Sequence, residues 1–187
     1  MKILPIYLYG HPILRKVTKD IPPDYPDLKN LLDNMFATLL NSDGVGLAAP
    51  QIGLEDRILV VDLISLADKD PSFEDFKKVF INAHIIEKDG KEESVEEGCL
   101  SIPDIHEKVP RSNRIRIQYL DENLKAHDEI FEGFIARVIQ HECDHLEGIM
   151  FVDRISGIRK QMIRSKLNKI MKGDVDCSYK VKPAYKK

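Results

Sequence analysis

The sequence predicts an α+β fold in which antiparallel sheets pack around a central helix. An amphipathic helix precedes them and a basic helix follows. Two observations point to helices, since residues 27–40 and 132–149 both carry apolar residues at helical spacing. A third is that strand-like segments gather between residues 57 and 131, and strands grouped before a helix favour α+β over alternating α/β. With 187 residues, the chain is expected to form a single domain, residues 1–187.

The first predicted helix spans residues 27–40. Its leucines recur, together with Met35 and Phe36, at spacings of three and four, which is typical of a helix with one face on the core. Turn-forming residues follow it. Residues 44–51, Gly-Val-Gly-Leu-Ala-Ala-Pro-Gln, are then predicted to form a loop of small residues whose backbone can approach a ligand closely.

The predicted strands occupy the middle of the chain. They lie at residues 57–64, 78–87, 92–95, 114–120 and 126–131. Asp89-Gly90 is a dipeptide typical of two-residue hairpins, so a chain reversal is expected there, and such signals favour antiparallel pairing. Residues 67–72, Ala-Asp-Lys-Asp-Pro-Ser, are interpreted as a polar surface loop.

The central helix is predicted to bind a metal ion. Residues 132–149 contain no proline and have apolar residues on more than one face, so this helix should be largely buried. His141 and His145 are four residues apart, so both rings lie on one face and can direct a nitrogen at one ion. Glu142 would stand beside that ion, able to take a proton from a bound water. Because burying unpaired polar groups is costly, a metal ion would explain the histidines.

A catalytic site of this kind has three protein ligands and one open position, so a third ligand is needed. The other candidates are His84, Glu96, Glu97, Cys99 and His106. Cys99 is favoured because a cation stabilises a thiolate and the preceding Gly98 allows close approach. Cys143 lies two residues from His141 and should point away from the ion, so it is predicted to pack in the core.

The composition and the first residues of the chain limit the cellular compartment and the kinds of partner that are expected. Three cysteines without framework spacing favour a reducing environment, and the first residues match neither a signal peptide nor a transit sequence, so a cytoplasmic protein is expected. No apolar run approaches the roughly 18 residues of a membrane span. We therefore expect no membrane partner, and no DNA partner either.

The C-terminal part of the chain is strongly basic. Residues 154–187 contain eleven Lys and Arg against two acidic residues, whereas the rest of the chain has 17 against 29. A helix is predicted at residues 156–172, followed by a flexible basic tail at 173–187. Such a segment can contact phosphate backbones or acidic surfaces, or it can simply be a solvated helix, and both interpretations stay open.

Three segments of the chain together resemble the peptide deformylase family. The family motifs are Gly-x-Gly-Leu-Ala-Ala-Pro-Gln, Glu-Gly-Cys-Leu-Ser and Gln-His-Glu-x-Asp-His, found here at residues 44–51, 97–101 and 140–145. Their order and spacing also match, and the resemblance covers essentially the whole chain. It implies a catalytic domain of that family.

The resemblance also implies an activity. The family removes the formyl group from the initiator methionine of new polypeptides and releases formate, through attack of metal-bound hydroxide on the formyl carbonyl with a glutamate as general acid/base. The ion would be Fe²⁺ in the native enzyme, with Zn²⁺, Ni²⁺ or Co²⁺ as possible substitutes. A Cys/His/His set by itself suits any of these ions.

Residue by residue, the resemblance implies a complete site. Cys99, His141 and His145 would bind the metal, Glu142 would be the general acid/base, and Gln51 and the backbone N–H of Leu100 would hold the oxyanion. The backbone of Gly44, Val45, Gly46 and Leu47 would pair with the bound peptide. Position and polarity further predict that Val45, Leu47 and Val138 line an apolar pocket for the methionine side chain.

Two further expectations follow from the family. Glu97 and Arg111 would pair near the metal and fix the segment that bears Cys99. The basic C-terminal helix could dock on the ribosome, and deletion of residues 159–187 is expected to weaken that docking while activity on a short peptide stays intact. The long 66–77 loop and His106 depart from compact members and could change peptide preference.

Two other functions fit parts of the sequence. A zinc endopeptidase would also use His-Glu-x-x-His, although the small chain leaves little room for a long cleft and a cysteine ligand weakens the Lewis acid. Cleavage of an internal peptide bond would favour it. A non-catalytic, metal-stabilised module would need neither Glu142 nor Gln51 and would normally add a fourth protein ligand.

Overall fold

The computed structural model describes residues 1–185. Within them the chain forms three α-helices, α1 (Leu28–Asn41), α2 (Gly133–Leu146) and α3 (Gly157–Met171). It also forms seven strands: β1 (Ile6–Tyr7), β2 (Gly46–Ala48), β3 (Ile58–Asp62), β4 (Lys77–Cys99), β5 (Ile102–Leu120), β6 (Ala126–Glu132) and β7 (Val181–Lys182). Short 3₁₀ segments join several of these elements.

The strands confirm the predicted α+β class with antiparallel pairing. β2 to β6 form a five-stranded sheet in the order β2-β3-β4-β5-β6, and every neighbouring pair in it is antiparallel. β1 and β7 form a separate parallel pair that joins the two ends of the chain. That pair was not predicted, because two strands of two residues each leave no periodic pattern to recognise.

The prediction of a hairpin at Asp89-Gly90 is wrong. These residues lie inside β4, which continues to Cys99 and pairs with β5 along its length. The register shifts by one residue between Asp89 and Glu92, which marks a β-bulge, and Gly90 has φ of +73° there. A bulge and a tight turn both use the positive φ that glycine tolerates, so the dipeptide alone cannot distinguish them. The chain reverses instead at Leu100 and Ser101, between paired Cys99 and Ile102.

The loop predicted at residues 44–51 is partly regular. Residues 46–48 form β2, which pairs with β3 at the edge of the sheet, and residues 49–52 form a 3₁₀ turn. The small side chains that suggested a loop allow this edge strand to pack closely on its neighbours.

Three apolar clusters hold the elements together. α2 is buried from Ala136 to Leu146 and packs against the sheet through Val138, Ile139 and Cys143. Cys143 is thus confirmed as a core residue, and burial raises the pKa of its thiol. The second cluster includes Leu32, Met35 and Leu39 of α1, and the third includes Ile163, Leu167 and Ile170 of α3.

The flexible tail predicted at residues 173–187 is a packed segment as far as residue 185, and residues 186 and 187 lie outside the described part of the chain. The N–H groups of Ile6 and Leu8 donate to the carbonyls of Lys180 and Lys182, each at 2.8 Å. Partly buried side chains alternate with exposed ones along this segment; the partly buried ones include Val175, Cys177, Tyr179 and Val181. This alternation was present in the sequence, but the high charge of the segment obscured it.

Deletion of residues 159–187 therefore removes buried core residues as well as the basic surface. It takes away the α3 side chains of the third apolar cluster and the whole of β7. We now expect that truncation to destabilise the protein, because burial of each large apolar side chain contributes about 1.5–3 kcal/mol.

Across the described residues no helix is both long enough and apolar enough to cross a membrane.

Candidate metal centre

α2 and the end of β4 bring three metal-ligating side chains together. Cys99, His141 and His145 each offer one ligand atom, and these atoms all lie within 4.8 Å of one another. Cys99 Sγ is 3.3 Å from His145 Nε2. The two histidines come from one face of one helix, while the thiol comes from the last residue of a strand, so the set is complete only in the folded chain.

The surroundings of these atoms fit a divalent ion. His141 donates its Nδ1–H to Glu97 Oε2 at 3.0 Å, which leaves Nε2 directed at the centre of the cluster. His145 Nδ1 is buried and has no hydrogen-bond partner among residues 1–185. Although burial opposes it, hydrogen bonds with Cys99 and Glu97 raise the pKa of His141, whereas burial lowers that of His145. One thiol and two imidazoles leave a fourth position open, as in catalytic sites.

The remaining ligand candidates lie elsewhere. His84 on β4 has its Nε2 atom 3.2 Å from a carboxylate oxygen of Asp20 at the surface. Glu96 and His106 line the cavity described below but do not belong to the cluster. His106 packs against Gly98, where a Cβ atom would come within 2.8 Å of its ring.

Glu97 is the centre of a buried ion network beside His141. Arg111 donates two hydrogen bonds to its carboxylate, at 2.6 and 2.9 Å, and Arg137 donates a third at 2.7 Å. Burial opposes ionisation of Glu97, but the hydrogen bonds from His141 and Arg111 outweigh it and lower its pKa to about 2. The carboxylate is therefore charged at neutral pH and holds the His141 ring in one orientation and tautomer.

Asp144 extends this network to the second histidine. Its carboxylate accepts hydrogen bonds from Arg111 at 2.8 Å and from Arg154 at 2.6 Å. Asp144 immediately precedes His145, so the pairing fixes the helix turn that carries that ligand. The sequence analysis did not single out Arg137 and Asp144, although two charged residues in a helix predicted to be buried were a usable signal.

Glu142 lies against the backbone of β2. It is buried, and its Oε2 atom has no hydrogen-bond partner among residues 1–185. Burial raises its pKa to about 7, so the carboxyl group can both accept and donate a proton near neutral pH. A Cβ atom added to Gly46 would come within 2.8 Å of the Glu142 Cγ and Cδ atoms, so only glycine leaves room for this carboxylate.

Replacement of Gly46 by alanine is therefore expected to displace the Glu142 side chain. The added methyl group cannot be accommodated by backbone movement without disturbing the pairing of β2 with β3. We expect hydrolytic activity to fall at least about tenfold, and kinetics on metal-loaded protein would measure it. Gly157→Ala is a matched control, because nothing lies within 4 Å of the position of its added Cβ. Equal activity of the two variants would contradict this role of Gly46.

Gln51 is oriented towards the metal cluster. Its Oε1 atom accepts the backbone N–H of Ala48 at 2.8 Å, which turns the amide nitrogen towards Cys99 Sγ at 3.5 Å and Ser101 Oγ at 3.4 Å. The side-chain N–H₂ group is thus a hydrogen-bond donor beside the cluster of ligand atoms.

A cavity of about 460 Å³ opens over these residues. The predicted peptide-binding residues Gly44, Val45, Gly46 and Val138 line it. Leu47 does not: its side chain is fully buried in the cluster that packs α1, because Gly46 faces Glu142 and the next residue of a strand points to the other side. The pocket-lining role predicted for the Leu47 side chain is therefore wrong.

The C-terminal segment also contributes to the cavity wall, which the sequence analysis did not anticipate. Asp176, Cys177, Ser178 and Tyr179 line it. The Tyr179 hydroxyl donates a hydrogen bond of 2.8 Å to the carbonyl of Leu100. Burial raises the pKa of Tyr179, so this hydroxyl stays protonated and remains a donor at neutral pH.

Comparison with known proteins assigns the family. A family model described as Polypeptide deformylase matches residues 3–161. The chain belongs to the peptide deformylase family. Among curated relatives, the peptide deformylase of Christiangramia forsetii is 49% identical, with 96% of this chain and 95% of the relative covered. That of Flavobacterium johnsoniae is 48% identical, with the same coverage.

Solved structures of the family have the same fold. A peptide deformylase from Legionella pneumophila superposes with a TM-score of 0.79 at 36% identity, covering 90% of this chain and 95% of that one. The enzyme from Thermus thermophilus gives the same TM-score and identity, covering 90% and 97%. Family membership makes this chain an amide hydrolase. The endopeptidase and the non-catalytic module are both set aside by that assignment.

Proposed function

We propose that this protein removes the N-formyl group from the initiator methionine of nascent polypeptides and releases formate, in the cytoplasm. The observation that carries the proposal is the cluster of Cys99, His141 and His145, with Glu142 beside it at the bottom of the cavity, in a chain of the deformylase family. The three cysteines are free thiols, which suits a reducing compartment.

In this proposal Cys99, His141 and His145 hold one divalent ion, which when bound polarises a carbonyl oxygen and lowers the pKa of a water molecule. Glu142 takes a proton from the attacking water on its free Oε2 atom and then delivers a proton to the leaving amine nitrogen. A pKa of about 7 suits both steps, because the carboxyl group changes protonation state readily at neutral pH.

Two donors would meet the negative charge that develops on the formyl oxygen. Gln51 is held with its amide nitrogen on the cavity side by the hydrogen bond from Ala48. The second donor is the backbone N–H of Leu100, which follows the ligand Cys99. Donors that are oriented before the reaction need no reorganisation when the charge appears.

The peptide would bind as an additional strand along β2. β2 is the edge strand of the sheet, and an edge can pair with an extended peptide through the backbone of residues 44–47. Val45 and Val138 would form the apolar wall for the methionine side chain.

Formate release from a formyl-Met tripeptide tests the activity. Protein purified without oxygen should release formate, and the unformylated peptide should remain uncleaved at its internal bonds. Absence of release from folded, fully metal-loaded protein would overturn the proposal. Cleavage of internal bonds would instead show an endopeptidase.

We further propose Fe²⁺ as the native ion, on the basis of the family resemblance. The same oxygen-free sample would have its metal content measured, and apo-protein would be reconstituted separately with Fe²⁺, Zn²⁺, Ni²⁺ and Co²⁺. Iron should be the main ion and should give high activity that is lost in air, since the thiolate ligand is open to oxidation. Full activity with zinc in air would contradict this choice.

Docking on the ribosome remains a proposal, and the structure indicates how to test it. On α3, Arg159 pairs with Glu107 at 2.9 Å and Lys160 with Asp153 at 2.6 Å. Other basic side chains of the helix are exposed; they include Arg164, Lys166 and Lys169. These three can change charge without removing core contacts, unlike a truncation.

Replacement of Arg164, Lys166 and Lys169 by glutamate is expected to weaken co-sedimentation with ribosomes at least about tenfold in low salt, because contacts to phosphates are electrostatic. Activity on a short formyl peptide should be unchanged. The matched control replaces Lys69, Lys91 and Lys125, which are also exposed, and so changes the net charge equally. Equal loss in both triple variants would indicate a general charge effect and contradict docking through α3.

A further inference from the structure

The turn that follows the ligand Cys99 forms hydrogen bonds with segments near both ends of the chain. Leu100 and Ser101 are the two residues at which β4 reverses into β5. The carbonyl of Ser101 accepts the backbone N–H of Tyr9 at 2.8 Å, and the carbonyl of Leu100 accepts the Tyr179 hydroxyl at 2.8 Å. Carbonyls at the tip of a two-residue turn have no partner in the strand ladder, so these two contacts satisfy them.

The two segments that supply these contacts are themselves joined. β1 precedes Tyr9 and pairs in parallel with β7, which follows Tyr179. The N–H groups of Ile6 and Leu8 form the connecting hydrogen bonds. We call residues 174–182 the C-terminal strap. It reaches the turn over a sequence separation of 79 residues from Leu100, and its residues 176–179 form part of the cavity wall.

The position of this turn decides two elements of the catalytic site. Cys99 directly precedes the turn, and its Sγ atom must face the two histidines. Sγ lies 3.3 Å from His145 Nε2. Leu100, whose backbone N–H is the second proposed oxyanion donor, lines the cavity. Ser101 Oγ is 3.4 Å from the Gln51 amide nitrogen, so the other proposed oxyanion donor also contacts the turn. Small displacements of such groups reduce catalysis strongly.

We propose that Tyr179 is a positioning residue of the catalytic site, and that the C-terminal strap is a functional part of it. The Tyr179 hydroxyl acts through the Leu100 carbonyl to hold the thiolate of Cys99 and the N–H of Leu100 in place. This inference rests on the proposed deformylase function for its catalytic consequence, whereas its consequence for the metal ligand is independent of any substrate.

Tyr179→Phe tests the proposal, because it removes one hydrogen bond and retains the ring that packs on the second apolar cluster. The matched control is Tyr185→Phe, the same chemical change at an exposed side chain just after the strap. Three properties would be measured on each protein: kcat and KM for a formyl-Met peptide, metal bound per chain, and the thiolate-to-cobalt charge-transfer absorption of cobalt-loaded protein.

In Tyr179→Phe we expect kcat to fall about tenfold with KM within about twofold, and the charge-transfer band to shift because the geometry of the Cys99 ligand relaxes. Tyr185→Phe should match the wild type in all three properties. A Tyr179→Phe protein with wild-type kcat and an unchanged band would overturn the proposal. So would a lower melting temperature with an unchanged band, since this indicates only a structural role.

The readouts keep the two proposals separate. Absence of formate release by the wild type would refute the deformylase function, and the cobalt band would still decide whether Tyr179 positions Cys99. Conversely, normal formate release with no difference between the wild type and Tyr179→Phe would refute only the role of the strap.

Discussion

Replacement of Glu142 by glutamine is expected to lower kcat by about 10²–10⁴-fold, the range typical of a lost general base. The amide has nearly the shape of the carboxyl group, so the fit against Gly46 is retained. It cannot accept the proton of the attacking water or return it to the leaving amine. Metal binding should be unaffected, because the three ligand atoms come from Cys99, His141 and His145.

Stability should not fall in this variant. Glu142 is buried and burial raises its pKa, so the folded state disfavours the charged form. A neutral amide at this position removes that penalty. We therefore expect an unfolding temperature equal to that of the wild type or slightly higher, as is common when a functional group is removed from an active site.

Steady-state kinetics with metal quantified in the same sample would measure the effect. His141→Ala serves as the contrasting variant, since it should lose both activity and metal, together with some stability. Glu142→Gln should lose activity alone. Undiminished turnover by Glu142→Gln with full metal content would refute the assigned mechanism.

The second large effect is expected at Arg111, whose replacement by alanine should cost about 3–5 kcal/mol in the free energy of unfolding. Its guanidinium group is buried and donates to both Glu97 and Asp144. Removal leaves two buried carboxylates without their shared partner. Arg137 and Arg154 still contact them, but each reaches only one.

Metal affinity should fall with stability in this variant, by about 10–100-fold. Glu97 accepts the Nδ1–H of His141, and Asp144 adjoins His145, so both ligand rings lose part of their support. Arg111→Lys should be intermediate, because a lysine keeps the charge but cannot form the bidentate pair with Glu97.

Arg116→Ala is the matched control for these measurements. Arg116 lies on the same strand, β5, and also forms a bidentate pair, with Asp128 at 2.7 and 2.9 Å. That pair is exposed, so its loss should cost far less stability than the loss of Arg111 and leave metal content unchanged. Chemical unfolding with and without a chelator would measure both effects. Equal results for the two arginine variants would contradict the supporting role of Arg111.

Much of the local structure was predictable from the residues. α1 extends over residues 28–41 against a prediction of 27–40, and α3 over 157–171 against 156–172. For α1 the agreement follows from apolar residues that recur at spacings of three and four, which the sequence displays directly. The same reasoning located His141 and His145 on one face of α2.

Predictions failed where a local signal has two structural meanings. Asp89-Gly90 was interpreted as a turn and is a bulge, and residues 44–51 were interpreted as a loop although three of them form β2. Glycine permits each of these conformations, and which one occurs depends on pairing with strands that are distant in sequence. The charged segment after residue 172 was interpreted as flexible for a similar reason, since its partner β1 lies at the other end of the chain.

The sequence by itself determined the fold class, the two helical histidines, the adjacent glutamate and, through three motifs, the resemblance to the deformylase family. Only the tertiary structure decided that Gly46 leaves the room that Glu142 occupies, that Arg111 joins Glu97 to Asp144, and that Tyr179 reaches the turn beside Cys99. The physical reason is the range of the interactions involved. Periodicity and motifs are properties of neighbouring residues, whereas these contacts join residues brought together by strand register and by the packing of elements far apart in the chain.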